Sequence, residues 1–309
     1  MKVLFMGTPD FAVKSLEALI ENHEICAVVT QPDKPKGRGK KVFFSPVKEK
    51  ALEHGLEVLQ PQSAKDPEFI ERLRRFNADI FVVVAYGQIL TEEVLFMPKH
   101  GSINVHGSIL PKYRGAGPIQ WSIIDGCRKT GVTIMQMAKG IDNGDIISSE
   151  EIEILKNDTY GTLTEKMALV GAELLIKTMS DIEKGTAVKI KQDDALSTYA
   201  PMIEKETGHI DWSRSSGEID CLIRGLSPQP GAYSYYNDEM FKIWKVEDLG
   251  KQYADGVCGE IMEIAKKGFI VKTGSGSVLV SVIQAKGGKA MGADAYMRGH
   301  KIETGIVLK

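Results

Sequence analysis

A rhythm of short apolar runs constrains this chain more than anything else. Runs rich in β-branched residues recur at Val3 to Met6, Ile25 to Val29, Ile80 to Ala85, Ile103 to Val105 and Val132 to Met137. Between them lie segments with apolar residues at helical spacing: Asp10 to Ile20, Pro46 to His54, Pro67 to Phe76 and Pro118 to Ile124. A continuous apolar strand is buried on both faces. Strands alternating with helices require crossover connections, so the pattern predicts a mostly parallel sheet covered on both sides by helices. Ser45 before Pro46 marks a helix start, as N-cap and first helical residue. From Thr159 to Lys184 a longer pattern places Leu163, Met167, Val170, Leu174 and Met179 on one stripe, and predicts the helix that closes this domain.

The rhythm then stops. Large apolar residues thin out after about residue 186, and short strand-like runs follow at Tyr233 to Tyr236, Met240 to Val246, Cys258 to Ala265, Phe269 to Thr273 and Ser277 to Gln284, separated by Gly, Asn and Asp turns. A helix is expected from Glu218 to Gly225. Many short strands with regular turns predict a small β-barrel or sandwich. At ~100 to 200 residues per domain, a chain of 309 residues fits two domains: residues 1–188, a linker at 189–206, and residues 207–309.

Composition serves mainly to exclude. With 43% hydrophobic and 26% charged residues, the chain is not collagen-like, disordered or a disulfide scaffold. Cys26, Cys127, Cys221 and Cys258 stand far apart, without the close Cys or His spacing of a zinc site, so no metal is expected. The opening MKVLFMGTPDF has too short an apolar run for a secretory signal, and no stretch approaches the ~20 apolar residues that span a bilayer. A cytoplasmic protein without membrane contact is expected.

Two segments carry possible chemistry. The first strand enters a glycine turn at Gly7, but Pro9 and Ala12 stand where a dinucleotide fingerprint places its second and third glycines. Gly7 is therefore read as a tight turn. Residues 100–121, HGSINVHGSILPKYRGAGPIQW, are more informative. Asn104 lies in a strand that runs into His106, and ligands in open α/β sheets bind beyond the carboxyl ends of strands. Asp142, in a turn after the next strand, can reach the same crevice. Asn, His and Asp with no Ser or Cys nucleophile beside them do not form a hydrolase triad; they suit a transfer in which the substrate is the nucleophile. Asn104 can hold a developing oxyanion, His106 can stabilise charge or move a proton, and Asp142 can orient His106. The same three residues can equally serve as a strand-end amide and a turn cap.

The total charge of −2 argues against a nucleic-acid partner until it is resolved along the chain. Residues 31–50 hold Lys34, Lys36, Arg38, Lys40, Lys41, Lys48 and Lys50 against Asp33 and Glu49. Such a run is either a solvated loop or a phosphate-seeking surface in which Arg38, between two glycines, can enter a groove.

NVHGSILPKYRGAGP followed by GIDNGD resembles the active-site signature of the folate-dependent formyltransferases. GTPDFA, TQPDKPKGRGKK, VVAYGQIL, GVTIMQM, YAPMI and RGLSPQPGAY resemble, in order, the branch of that family that acts on methionyl-tRNA. The resemblance implies a Rossmann-like catalytic domain at 1–188 and an OB-fold-like, tRNA-holding barrel at 207–309. It implies formyl transfer from 10-formyltetrahydrofolate to initiator methionyl-tRNA by a monomer, with Asn104, His106 and Asp142 as the catalytic set. Ser108, Ile109, Leu110 and Pro111 are implied to contact the folate, and Val84 to Leu90 to line its pterin pocket. Arg38, Lys40 and Lys41 are implied to meet the tRNA acceptor stem. His209, Trp212 and Trp244 are expected to pack rather than to stack on bases. Relatives acting on sugar amines or purine precursors, and formylfolate hydrolases, share the Asn, His and Asp set. A non-catalytic RNA-binding protein is the remaining alternative.

Overall fold

The computed structural model describes residues 1–36 and 41–309. The chain divides into two compact units: residues 1–115, 130–153 and 164–200 form the first, and residues 116–129, 154–163 and 201–309 the second.

The first unit is built on a seven-stranded sheet. In chain order it contains β1 (Lys2–Gly7), α1 (Asp10–Asn22), β2 (Glu24–Val29), a hairpin of β3 (Lys34–Lys36) and β4 (Lys41–Phe43), α2 (Pro46–Glu53) and β5 (Val58–Leu59). There follow α3 (Pro67–Phe76), β6 (Ile80–Val84), α4 (Glu92–Leu95), β7 (Ser102–His106) and β8 (Arg114–Gly115). After α5 (Pro118–Ile124), which belongs to the second unit, come β9 (Lys129–Gln136), β10 (Ile146–Glu153), α6 (Tyr160–Lys184) and β11 (Tyr199–Ala200). The sheet order is β10-β9-β7-β6-β1-β2-β5, and β7, β6, β1, β2 and β5 pair in parallel. Val3, Leu4, Phe5 and Met6 in β1 are fully buried, as a central strand covered on both faces requires. Local chemistry sets the helix starts. Ser45 accepts from the Lys48 amide ahead of Pro46, and Asp66 accepts from the Glu68 amide ahead of Pro67. The stripe on α6 is buried at Leu163, Met167, Leu174 and Met179.

β9 departs from the parallel pattern. It pairs antiparallel with β7, so Gln136 lies beside Ile103 and Thr133 beside His106. The end of β9 therefore sits at the opposite end of β7 from His106, and the loop at 137–145 has to fold back to approach it. β10, which the polar sequence IISSEEIE does not announce, is the mostly exposed edge strand beyond.

The second unit carries a six-stranded antiparallel sheet. Its elements are α7 (Ser216–Gly225), β12 (Ala232–Tyr236), β13 (Glu239–Asp248), β14 (Ile261–Ala265), β15 (Gly268–Lys272), β16 (Ser277–Ala285), β17 (Met291–Gly292) and α8 (Ala293–Met297). The order is β12-β13-β16-β15-β14, with β17 on β16. Trp212, Ile219, Ile223, Phe241, Phe269, Val271, Val280 and Leu308 share its core. Trp212 packs there, its Nε1 donating to Ser234 Oγ at 2.9 Å, and Trp244 Nε1 donates to Gln284 Oε1 at 3.0 Å. His209 differs from the packing expectation: it is exposed and stacks on Tyr233 with centroids 5.2 Å apart. Among the described residues, no helix is long and apolar enough to cross a membrane, and no group of three or more His, Cys, Asp or Glu could hold a metal ion.

Candidate active site

Asn104 and His106 project from β7, two residues apart and so on the same face of the sheet. The folded-back loop brings Asp142 to both. Asn104 Nδ2 donates to Asp142 Oδ1 at 3.3 Å, and Asp142 Oδ2 lies 3.5 Å from His106 Nδ1. His106 is only 5% exposed, and its other nitrogen, Nε2, is 2.9 Å from the Tyr113 carbonyl. A carbonyl oxygen can only accept, so Nε2 carries a proton. A carboxylate oxygen of Asp142 lies beside Nδ1. Both ring nitrogens thus face oxygen atoms.

Asp142 is held from several directions. Its Oδ2 accepts from the Gly115 amide at 2.9 Å, and its backbone oxygen accepts from Gln192 Nε2, also at 2.9 Å. Its own φ of 47° lies in the left-handed region, which few non-glycine residues adopt. Two residues later the loop passes so near β9 that a Cβ at Gly144 would lie 1.8 Å from the Gln136 oxygen. Only glycine fits this crossing. Gly115, Gln192 and the Tyr113 carbonyl were not singled out by sequence reasoning, since two act through the backbone and the third lies in a stretch read as a linker.

A cleft of about 650 Å³ opens against Asp142, lined by Gln88 to Glu93, Leu95, Met135, Met137 and Ala138 to Ile141. That volume suits a drug-sized ligand. Its rim leaves Ile89 77% exposed, an apolar contact that water does not reward, and its charged lining is mixed: Lys65 and Lys139 stand beside Glu92, Glu93 and Asp142, and Lys139 is paired with Glu92 at 3.2 Å. The loop from β6 into this cleft is pinned from beneath, where Thr8 Oγ1 and Gln31 Nε2 both donate to the Tyr86 carbonyl, at 2.9 and 3.2 Å. The Tyr86 ring is buried, and that burial pushes its phenol up to about 12. It packs in the hydrophobic core and is neutral at any working pH.

The Ser108 to Pro111 turn follows β7 directly. Ser108 Oγ donates to the Lys112 carbonyl at 2.6 Å, Thr133 Oγ1 donates to the Ser108 carbonyl at 2.7 Å, and the Leu110 amide donates to Thr133 Oγ1 at 3.2 Å. The Ser108 and Leu110 side chains are buried, which leaves Ile109 and Pro111 as the more accessible members. Arg38 and Lys40 lie outside the described residues, and Lys41 opens β4. Of the other basic residues of that stretch, Lys48 is paired with Asp33, and Lys50 with Glu17 and Glu53. These two are engaged within the fold.

Residues 1–179 match the family described as "Formyl transferase", and residues 202–301 match "Formyl transferase, C-terminal domain". The chain belongs to the formyl transferase family. Among relatives, methionyl-tRNA formyltransferase of Clostridioides difficile is 49% identical, with 100% of both chains covered. That of Lachnospira eligens is 46% identical, covering 100% of this chain and 99% of its own. Solved structures share the family fold at lower identity. The sugar 3N-formyl transferase WlaRD superposes with a TM-score of 0.65 at 23% identity, over 92% of this chain and 97% of its own. The N-formyltransferase from Helicobacter canadensis, solved with folinic acid and dTDP-3-aminofucose, gives 0.66 at 23% identity, over 91% and 98%.

Proposed function

We propose that this protein is the enzyme that moves the formyl group of 10-formyltetrahydrofolate onto the α-amine of methionine carried by the initiator tRNA. The observation that carries this reading is full-length identity of 45 to 49% to proteins of that named activity, on a chain whose Asn104, His106 and Asp142 meet in one site. In this reading residues 1–188 perform the transfer, 189–206 lead onward with residues up to 200 still part of the first unit, and 207–309 form an OB-fold-like barrel that holds tRNA. The protein works as a monomer in the cytoplasm.

The cleft beside Asp142 takes the folate: residues 88–90 of the Val84 to Leu90 segment line it, the Ser108 to Pro111 turn contacts the ligand, and Lys65 lies on the rim near its carboxylates. When bound, the folate supplies the formyl carbon that the neutral amine attacks. The residues of this chain do the rest. The Asn104 amide keeps one N–H beyond its bond to Asp142 and presents it to the formyl oxygen as negative charge develops there. His106, held protonated between Tyr113 and Asp142, adds positive charge nearby. Each fixed donor of this kind is worth roughly 3 kcal/mol of barrier. An NMR titration that found His106 neutral in the ternary complex would remove the imidazolium from this account.

Arg38, Lys40 and Lys41 meet the acceptor stem. Lys48 and Lys50 do not, because their charges are already paired. The deciding experiment incubates the protein with 10-formyltetrahydrofolate and either initiator or elongator methionyl-tRNA, with a dTDP-amino sugar as the competing acceptor. Formylmethionine on the initiator alone is the expected result. Transfer to the sugar with none to tRNA would select the small-molecule branch of the family. Arg38→Ala is expected to erode initiator selectivity while folate affinity stays unchanged.

A further inference from the structure

Gln192 lies in a polar stretch with no catalytic signature, yet it is 6% exposed and every hydrogen-bonding group of its side chain is engaged. Its Nε2 donates to the Asp142 carbonyl at 2.9 Å and to the Gly144 carbonyl at 2.7 Å. Its Oε1 accepts from Arg114 Nε at 3.0 Å and from Arg114 Nη2 at 2.8 Å. The amide orientation follows from chemistry. A guanidinium can only donate and a carbonyl can only accept, so the oxygen must face Arg114 and the nitrogen must face the loop.

These bonds close a ring. Arg114 holds Gln192, Gln192 holds the backbone of Asp142, and the residue after Arg114, Gly115, holds the Asp142 carboxylate at 2.9 Å. Adjacent residues of β8 thus grip the same aspartate at both ends, one directly and one through the glutamine. The support is anchored on both sides. Ile190 exchanges two 2.8 Å backbone bonds with Ile146, and the Arg114 amide donates to the Thr198 carbonyl at 2.9 Å. Arg114 also pairs with Asp194 at 2.8 Å. A left-handed aspartate persists only where its surroundings over-determine it, and the ring provides that constraint.

We propose that Gln192 is a positioning residue for formyl transfer, acting through Asp142 to set the carboxylate that faces Asn104 and His106. The inference rests on the formyl-transfer reading of the site. It assigns to the segment after α6 a part in the chemistry of the first unit.

The test uses the full-length protein and two substitutions. Gln192→Met keeps the volume and removes all four bonds. Gln192→Glu keeps the contact with Arg114 but turns an acceptor toward two carbonyls. Both are expected to lower kcat by about 10- to 100-fold, the scale of a displacement near 1 Å at reacting groups, with KM for the folate within about twofold. A structural role alone would lower the melting temperature and leave kcat intact below it. In an Asp142→Asn background the further effect of Gln192→Met on kcat should shrink to less than about twofold, since the two residues act in series. Wild-type kcat in Gln192→Glu, or an undiminished loss in the Asp142→Asn background, overturns the proposal. Asn104→Ala serves as the control. If it too transfers formyl groups normally, the formyl-transfer reading is what has failed.

Discussion

Replacing Gly115 with alanine tests the geometry of the site through a residue that contributes no side chain. The φ of Gly115 is +115°, and an added Cβ would lie 2.6 Å from the Ala200 carbonyl oxygen. An ordinary contact begins near 3.4 Å, so β8 and β11 must separate by roughly 0.8 Å, or the turn must rotate. Either response moves the amide that donates to Asp142 Oδ2. Displacement on this scale costs up to about 100-fold in rate. The backbone strain and the clash together cost about 2 to 3 kcal/mol of stability. In a chain of this size that lowers the melting temperature by roughly 3 to 5 °C. Gly55→Ala is the matched control. Its φ is +65°, also left-handed, but nothing lies within 4 Å of the added Cβ, and its amide bonds to the Leu52 carbonyl, away from the site. It should lose about 1 kcal/mol and keep its kcat. The assay is single-turnover formyl transfer with both substrates saturating, well below either melting temperature, alongside a thermal melt. A Gly115→Ala protein that melts early but transfers at the wild-type rate would show that the Gly115 amide does not set Asp142.

Other outcomes follow from single residues. Asn104→Ala should reduce kcat by about 10²- to 10³-fold with little change in folate KM, read from steady-state kinetics with each substrate varied. Ser215→Ala dismantles the capping box in which Ser215 and Glu218 satisfy each other's amides at the start of α7; a loss of ~1 kcal/mol is expected in a denaturant titration, with kcat unchanged. His23 is held below its ordinary value of 6.5, first by burial and then by the N-terminal amine. The unfolded chain therefore takes up a proton before the native one. The contribution is fully present above about pH 6.5 and is lost as pH falls toward the lowered native value. Between pH 8 and 5.5, the wild type should lose more of its denaturation midpoint than His23→Gln.

How far the fold could be read in advance depended on whether its determinants were local. α3 has the span expected from its spacing, Pro67 to Phe76, because local chemistry fixes both ends: Asp66 caps the start and Asn77 takes up the left-handed φ of 46° that closes the helix. α5 was read equally well behind Pro118. The parallel strands were legible because burial on both faces makes them uniformly apolar. β10 was not, because an edge strand with one solvated face needs no apolar run; it forms because β9 offers it an edge. α8 is five residues long, too short for a periodicity to register. The antiparallel course of β9 is set by its pairing with β7, which no local pattern encodes.

The candidate site divides along the same line. Asn104 and His106 stand out because polar side chains at the end of an apolar strand are costly unless they have a use or a partner. Asp142 stands out only through its motif, since its route to the other two depends on the reversal at β9. What holds these three in place is still less visible. The Gly115 amide and the Tyr113 carbonyl are backbone groups that any residue type would supply. Gln192 looks in sequence like an ordinary surface glutamine: it stands between Lys191 and Asp193, charged neighbours that point away from burial. The reacting groups of such a site must be of particular chemical types, and a sequence displays type. Its supports need only be donors or acceptors in the right place, and place belongs to the fold. For this reason the bracket around Asp142, and not the Asn, His and Asp set itself, is where a relative could retain the signature and still lose the rate.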